Sequence, residues 1–147
     1  MRFEYLLKKN SRMSNEPIHM LRLNFVKKYN SLNEIFSDKG LAKLGDLYIN
    51  FVYSLAKSKK NNIPTNERVT GKNLAEALKK AGLRSHLPSR MSRHDQGDAV
   101  ESLIMYSWIN EIVSIEECIS ILEKNTENPV EAFTTLINVV KKRLEVF

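Results

Sequence analysis

An all-α fold is what this sequence predicts. Two observations carry that expectation: apolar residues recur with helical spacing between recognisable caps, and no alternating strand pattern persists. A third agrees with them. The five glycines and four prolines fall mostly at helix boundaries, and no Asn-Gly or Asp-Gly hairpin signal occurs.

The expected elements follow in order. The first sixteen residues read as an extension, and residues 17–147 as one helical domain. Pro17 suits the first turn of a helix running to about Tyr29. Ser31 and Glu34 form a capping box for a short helix to about Phe36. Ser37 or Asp38 opens a long helix to about Lys57. Apolar residues lie on nearly every side of it, so it reads as buried. Residues 58–69 read as an exposed loop. Thr70 caps a helix ending at Ala81, with Gly82 just beyond it. Residues 83–94 read as irregular and basic. A further helix starts around Asp95 to Asp98 and runs to about Ile112, with Leu103, Tyr106, Ile109 and Val113 as an apolar face. Ser114 and Glu117 form a second capping box for a helix ending near Lys124. Asn128, Pro129 and Glu131 open the last helix, whose apolar stripe is Val130, Phe133, Leu136, Ile137, Val140 and Leu144. The total is about seven helices.

Composition narrows the function. At 42% hydrophobic and 27% charged, the chain is ordinary for a soluble domain. No apolar run is long enough to span a bilayer, and the N-terminus is a poor secretion signal. One cysteine, Cys118, excludes an internal disulfide and a cysteine-based zinc site. It sits on an apolar helix face as a buried thiol. A cytoplasmic location is therefore expected. The net charge of +6 is uneven. Residues 57–93 carry ten Lys/Arg against two Glu, whereas residues 94–147 carry four against ten acids. A basic block of this density attracts polyanions by counterion release, although a solvated lysine-rich face would look the same.

Three acids stand out. Asp46 lies mid-helix among Leu44, Leu47, Tyr48 and Phe51, where a buried carboxylate needs a cationic neighbour. Asp98 and Glu101 are spaced to share one helix face, although acids at a helix start are also common for the helix dipole alone. Three carboxylates brought together by two helices would hold Mg²⁺ or Mn²⁺. Such an ion activates water and steadies charge on a phosphate, which together with the basic block points to phosphodiester hydrolysis.

These residues resemble a known family. Leu41-Ala-Lys-Leu-Gly-Asp46 resembles the signature of ribonuclease III. Asp98-Ala-Val-Glu101-Ser-Leu-Ile resembles its second motif, and Asn73 to Leu83 is similar to the helix between them. The resemblance spans roughly residues 20–125. It implies an all-helical, Mg²⁺-dependent endonuclease of double-stranded or structured RNA that works as a homodimer, with Asp46, Asp98 and Glu101 as metal ligands. One departure stands out: where the family usually carries a Glu ligand four residues before its Asp, this chain has Ala42. Asp95 is a candidate replacement ligand, or simply a helix cap. The Leu-x-x-Leu-Gly-Asp form resembles that of Mini-ribonuclease III, a reduced form without a double-stranded-RNA-binding domain. In such a form the basic block holds the RNA, with Lys57, Lys59, Lys60, Lys72, Arg84, Arg90 and Arg93 as the expected contacts. The alternative is a catalytically silent domain that binds RNA or a ribonucleoprotein. His94-Asp95 also invites comparison with HD phosphohydrolases, but those need a distant downstream Asp, and this chain has none after Asp98. His19 and His86 read as surface or cap residues. Trp108, Tyr106 and Phe51 read as core rather than as base-stacking platforms.

Overall fold

The computed structural model describes residues 23–145. The expected extension, His19 and the start of the helix at Pro17 lie outside those residues. Six α-helices are present among them: α1 (Leu32–Phe36), α2 (Lys39–Asn61), α3 (Gly71–Lys80), α4 (Arg93–Ile109), α5 (Ile115–Glu123) and α6 (Pro129–Glu145), with one 3₁₀ turn at Arg84–His86.

Helix α4 is the axle. Ala99 to Tyr106 is buried on every side, and Gly97 and Ser107 are buried at either end. A helix apolar all round must be surrounded. Accordingly, α1, α2, α3 and α6 all pack against it, while α5 bridges α2 and α6. The core is one cluster running from Ile35 and Phe36 through Ile49, Val52, Leu78, Leu103 and Ile104 to Phe133 and Val140. Tyr48 stacks on half-buried Trp108 with ring centroids 4.9 Å apart, and its hydroxyl donates to the buried Cys118 thiol at 3.5 Å. Burial pushes the pKa of that thiol up to about 11, so Cys118 is inert at neutral pH.

The caps form largely as the sequence dictates. Asp38, Thr70, Ser92 and Ser114 each accept a backbone N–H in the first turn of their helix. The Ser114–Glu117 capping box is complete. The Ser31–Glu34 box is not: Ser31 accepts the Glu34 N–H, but the Glu34 carboxylate accepts from Asn30. Gly82 takes φ +77° after α3, the left-handed conformation that glycine supplies freely.

Several expectations are corrected. Residues 23–29 are not helical. Leu23 and Val26 close a turn, and the Tyr29 N–H donates to the Tyr106 hydroxyl at 3.0 Å, a tertiary bond that replaces a helical one. Helix α2 runs to Asn61 rather than Lys57, so Lys59 and Lys60 lie on its last turn. That turn favours cations through the helix dipole. Helix α4 begins at Arg93 and ends at Ile109, so Asp98 and Glu101 are its sixth and ninth residues and owe nothing to first-turn dipole effects. Helix α2 is not greasy all round either: Leu47 and Phe51 are 69% and 55% exposed, and Phe51 is not core.

Candidate active-site cleft

Helices α2 and α4 meet at a glycine. A Cβ on Gly45 would lie 2.1 Å from the Glu101 carbonyl oxygen and 2.5 Å from its carbon. No other residue permits so close an approach, and this contact sets Asp46 beside Glu101. A second tie runs from Ser102 Oγ to the Asp38 carbonyl at 2.7 Å. Gly97 plays a similar part against α3, where a Cβ would come within 3.0 Å of the Gly71 Cα.

The approach leaves an open cleft of about 680 Å³, lined by Lys39, Ala42, Lys43, Asp46, Arg68, Val69, Thr70, Gly71, His94, Asp98 and Glu101. All three acids singled out in the sequence line it, and their environments differ. Glu101 is 9% exposed. Burial, then the charges of Asp46 and Asp98, push its pKa up to about 7 against a small opposing effect of Arg68. No hydrogen bond contributes to that balance. Asp98 lies 3.3 Å from Lys39 Nζ and 3.6 Å from His94 Nε2. Asp46 is not buried as expected, its side chain being 40% exposed. The cationic neighbour inferred for it is Arg68, whose Nη2 is 3.5 Å from Asp46 Oδ2.

The three carboxylates share the cleft without closing on one point. Among the described residues, the group whose potential ligand atoms all lie within 4.8 Å of one another is His94, Asp95 and Asp98. Lys39 accounts for part of this: its ammonium bridges Asp95 Oδ1 at 3.1 Å and Asp98 Oδ2 at 3.3 Å. Partial burial works against that ammonium, but hydrogen bonds to Asp95 and Asp98 outweigh it and raise its pKa. The same contact holds the Asp95 carboxyl below its usual range. The Ser92 hydroxyl, not Asp95, caps α4.

The donor set suits a hard cation. Glu101 is a largely buried residue whose carboxylate opens onto the cleft and receives no hydrogen bond from the described residues, beside two more carboxylates that raise its energy when ionised. Such a group is eased by a proton or by a cation.

Asn50 organises the wall carrying Arg68. Its Nδ2 donates to the Asp46 carbonyl at 2.7 Å and to Asp46 Oδ1 at 3.1 Å, while its Oδ1 accepts the Val69 N–H at 2.7 Å. Ser54 and Ser58, one and two turns further along α2, bind the backbone of Glu67 and Thr65 in the same way. The segment between α2 and α3 is therefore zipped to α2. The Asn50/Ser54/Ser58 spacing is the sequence signal for this arrangement, and a reading that treats the segment as a free loop misses it.

The expected RNA contacts divide. Lys57 is on α2, 15% exposed and paired with Glu67. Lys59 pairs with Glu123 at 3.0 Å. The Arg84 guanidinium donates to the Leu87, Pro88 and Ser89 carbonyls and braces that turn. Lys60, Lys72 and Arg90 are exposed, as is Arg93. Lys72 and Arg93, with Lys79 and Arg84, line a notch of about 240 Å³. The notch adjoins the acidic cleft, since Gly71 and His94 belong to one and Lys72 and Arg93 to the other.

A small helical domain, with two helices touching at a glycine and a row of acids along the seam, is the class of scaffold these features define. The Ribonuclease III family model matches residues 39–147, and the chain belongs to that family. Membership places it with the nucleases of RNA processing. No curated protein matches the chain. No described helix is long and apolar enough to cross a membrane.

Proposed function

We propose that the protein is a metal-dependent endoribonuclease that hydrolyses phosphodiester bonds of double-stranded or structured RNA. The observation that carries this reading is Glu101: a largely buried acid whose carboxylate opens onto a cleft shared with Asp46 and Asp98, in a ribonuclease III family chain. Asp46, Asp98 and Glu101 would hold Mg²⁺ or Mn²⁺, since three carboxylates suit hard cations. When bound, the ion supplies Lewis acidity toward water and phosphate.

The remaining chemistry falls to the chain. The water oxygen bonds to phosphorus, and the P–O3′ bond breaks with its electron pair on O3′. The water proton passes to a cleft carboxylate, and O3′ takes a proton from solvent. Arg68, on an arm 73% exposed, can turn its fork from Asp46 to the phosphate oxygens. Lys72 and Arg93 extend positive charge from the cleft edge along a backbone. Leu47 and Phe51, one turn apart and exposed on α2, offer an apolar strip for a second copy, in keeping with a homodimer.

A labelled RNA duplex incubated with Mn²⁺ tests this directly. Wild type should cut it, and Asp46→Asn and Glu101→Gln should not. If the wild type cuts no structured RNA with either ion, the enzymatic reading fails. One observation favours a silent RNA-binding domain instead. Ala42 is 3% exposed and faces the cleft with a methyl group where the family usually has a ligand. Under that reading, salt-sensitive RNA binding survives Asp46→Asn and no cleavage accompanies it.

A further inference from the structure

Three carboxylates line the cleft and a fourth, Asp95, shares Lys39 with one of them, so the chain supplies cations to them unevenly. Arg68 approaches Asp46 alone, at the outer edge of hydrogen-bond distance. Lys39 sits between two acids, 3.1 Å from Asp95 and 3.3 Å from Asp98. Those acids and His94 offer one ligand atom each, all within 4.8 Å of one another. A carboxylate pair with an imidazole is a donor set that Mn²⁺ and its neighbours accept. The ammonium thus stands beside the very atoms that would otherwise hold a cation. Glu101 is the opposite case: a largely buried residue whose carboxylate opens onto the same cleft, with no ion pair or hydrogen bond from the described residues. Ala42, also on that wall, adds no oxygen. Two divalent ions about 3.5–4 Å apart need anionic ligands on both sides. Here Lys39 already sits between two acids on one side, whereas on the other Arg68 reaches only Asp46, and among the described residues no cation pairs with Glu101.

We propose that the cleft takes a single divalent ion, at Asp46 and Glu101 with the Asp98 oxygen that Lys39 leaves free, and that the Lys39 ammonium fills the place of a second ion among His94, Asp95 and the other oxygen of Asp98. This rests on the metal site of the proposed function, but not on RNA cleavage. A lysine ammonium is a compact point charge. Fixed at this position, it neutralises one side of the cleft at any metal concentration and leaves only one ion to be recruited from solution.

Counting bound Mn²⁺ by electron paramagnetic resonance, with the full chain and no RNA, tests the proposal. The wild type and Lys39→Arg should each bind one ion per chain. Lys39→Met frees Asp95 and Asp98 and should bind two. The added ion should be lost again when His94→Ala is combined with Lys39→Met. Lys39 is exposed at the first residue of α2, and circular dichroism verifies that the variants remain folded. Two ions on the wild type, or only one on Lys39→Met, overturns the proposal. A wild type that binds no ion overturns both this and the metal-dependent reading. A wild type that binds one ion yet cuts no RNA leaves the Lys39 role standing and removes the endonuclease reading alone.

Discussion

Gly45→Ala adds one methyl group at the point where the two site helices touch. Its Cβ would lie 2.1 Å from the Glu101 carbonyl oxygen, more than an ångström inside normal contact. The obstacle is backbone in the middle of a buried helix, so no rotamer change relieves it and α4 must move. Overpacking of this kind costs about 1–3 kcal/mol, and a backbone obstacle belongs at the upper end. Alanine returns about 1 kcal/mol of helix propensity. The net loss is about 2 kcal/mol, or roughly 6 °C in Tm for a chain of this length. Gly40→Ala is the matched control on the same helix. Its Cβ meets only Asp38 Oδ1, at an ordinary 3.5 Å, so the propensity gain should appear as a small rise in Tm. Thermal unfolding of the two variants beside wild type measures the difference. Equal stability of Gly45→Ala and Gly40→Ala would refute the reasoning, because α2 and α4 could not then be packed through Gly45.

Other expectations follow from single contacts. Glu101 is raised from 4.5 to about 7 in the folded chain, so between those values the native state holds more protons than the unfolded one. Without divalent ions, stability should fall by up to about 3 kcal/mol as pH rises through that window, and urea unfolding at pH 5 and 8 should show Glu101→Gln free of that loss. Asn50→Ala removes the acceptor of the Val69 N–H. It should cost about 1–2 kcal/mol and speed hydrogen exchange at Val69 and its neighbours. Lys72→Ala or Arg93→Ala should weaken duplex binding and reduce the slope of log affinity against log salt by about one, whereas Lys57→Ala, whose ammonium is held by Glu67, should leave that slope unchanged. Leu47→Glu with Phe51→Glu should leave chain stability nearly unchanged, since both side chains are exposed, and light scattering should show a dimer reduced to a monomer.

Local chemistry accounts for what was legible. Thr70, Ser114 and Asn128 each mark a helix start because a side-chain oxygen meets an N–H only two or three residues away. The stripe through Phe133, Leu136, Ile137 and Val140 is legible for the same reason, since helical periodicity is fixed by the backbone. Asp46, Asp98 and Glu101 were legible as anomalies among apolar neighbours, and all three line one cleft. Arg68 and Lys39 were not. Arg68 reaches Asp46 from 22 residues away, and Lys39 reaches Asp98 from 59 residues away. Nothing in the local pattern of either lysine or arginine sets it apart from the other cations. Phe51 misled for the converse reason: an apolar residue in an apolar run reads as core unless the direction of the packing partner is known.

Sequence by itself determined the helical class, most of the caps, the family motifs and the sign of charge along the chain, because each depends on residues within a turn or two of one another. Tertiary structure alone decided the rest: which face of α2 is buried, which basic groups are already held by acids or carbonyls, and which carboxylate is left without a donor. Those outcomes depend on how closely two helices approach, and at this site that distance is set by the missing side chain of Gly45.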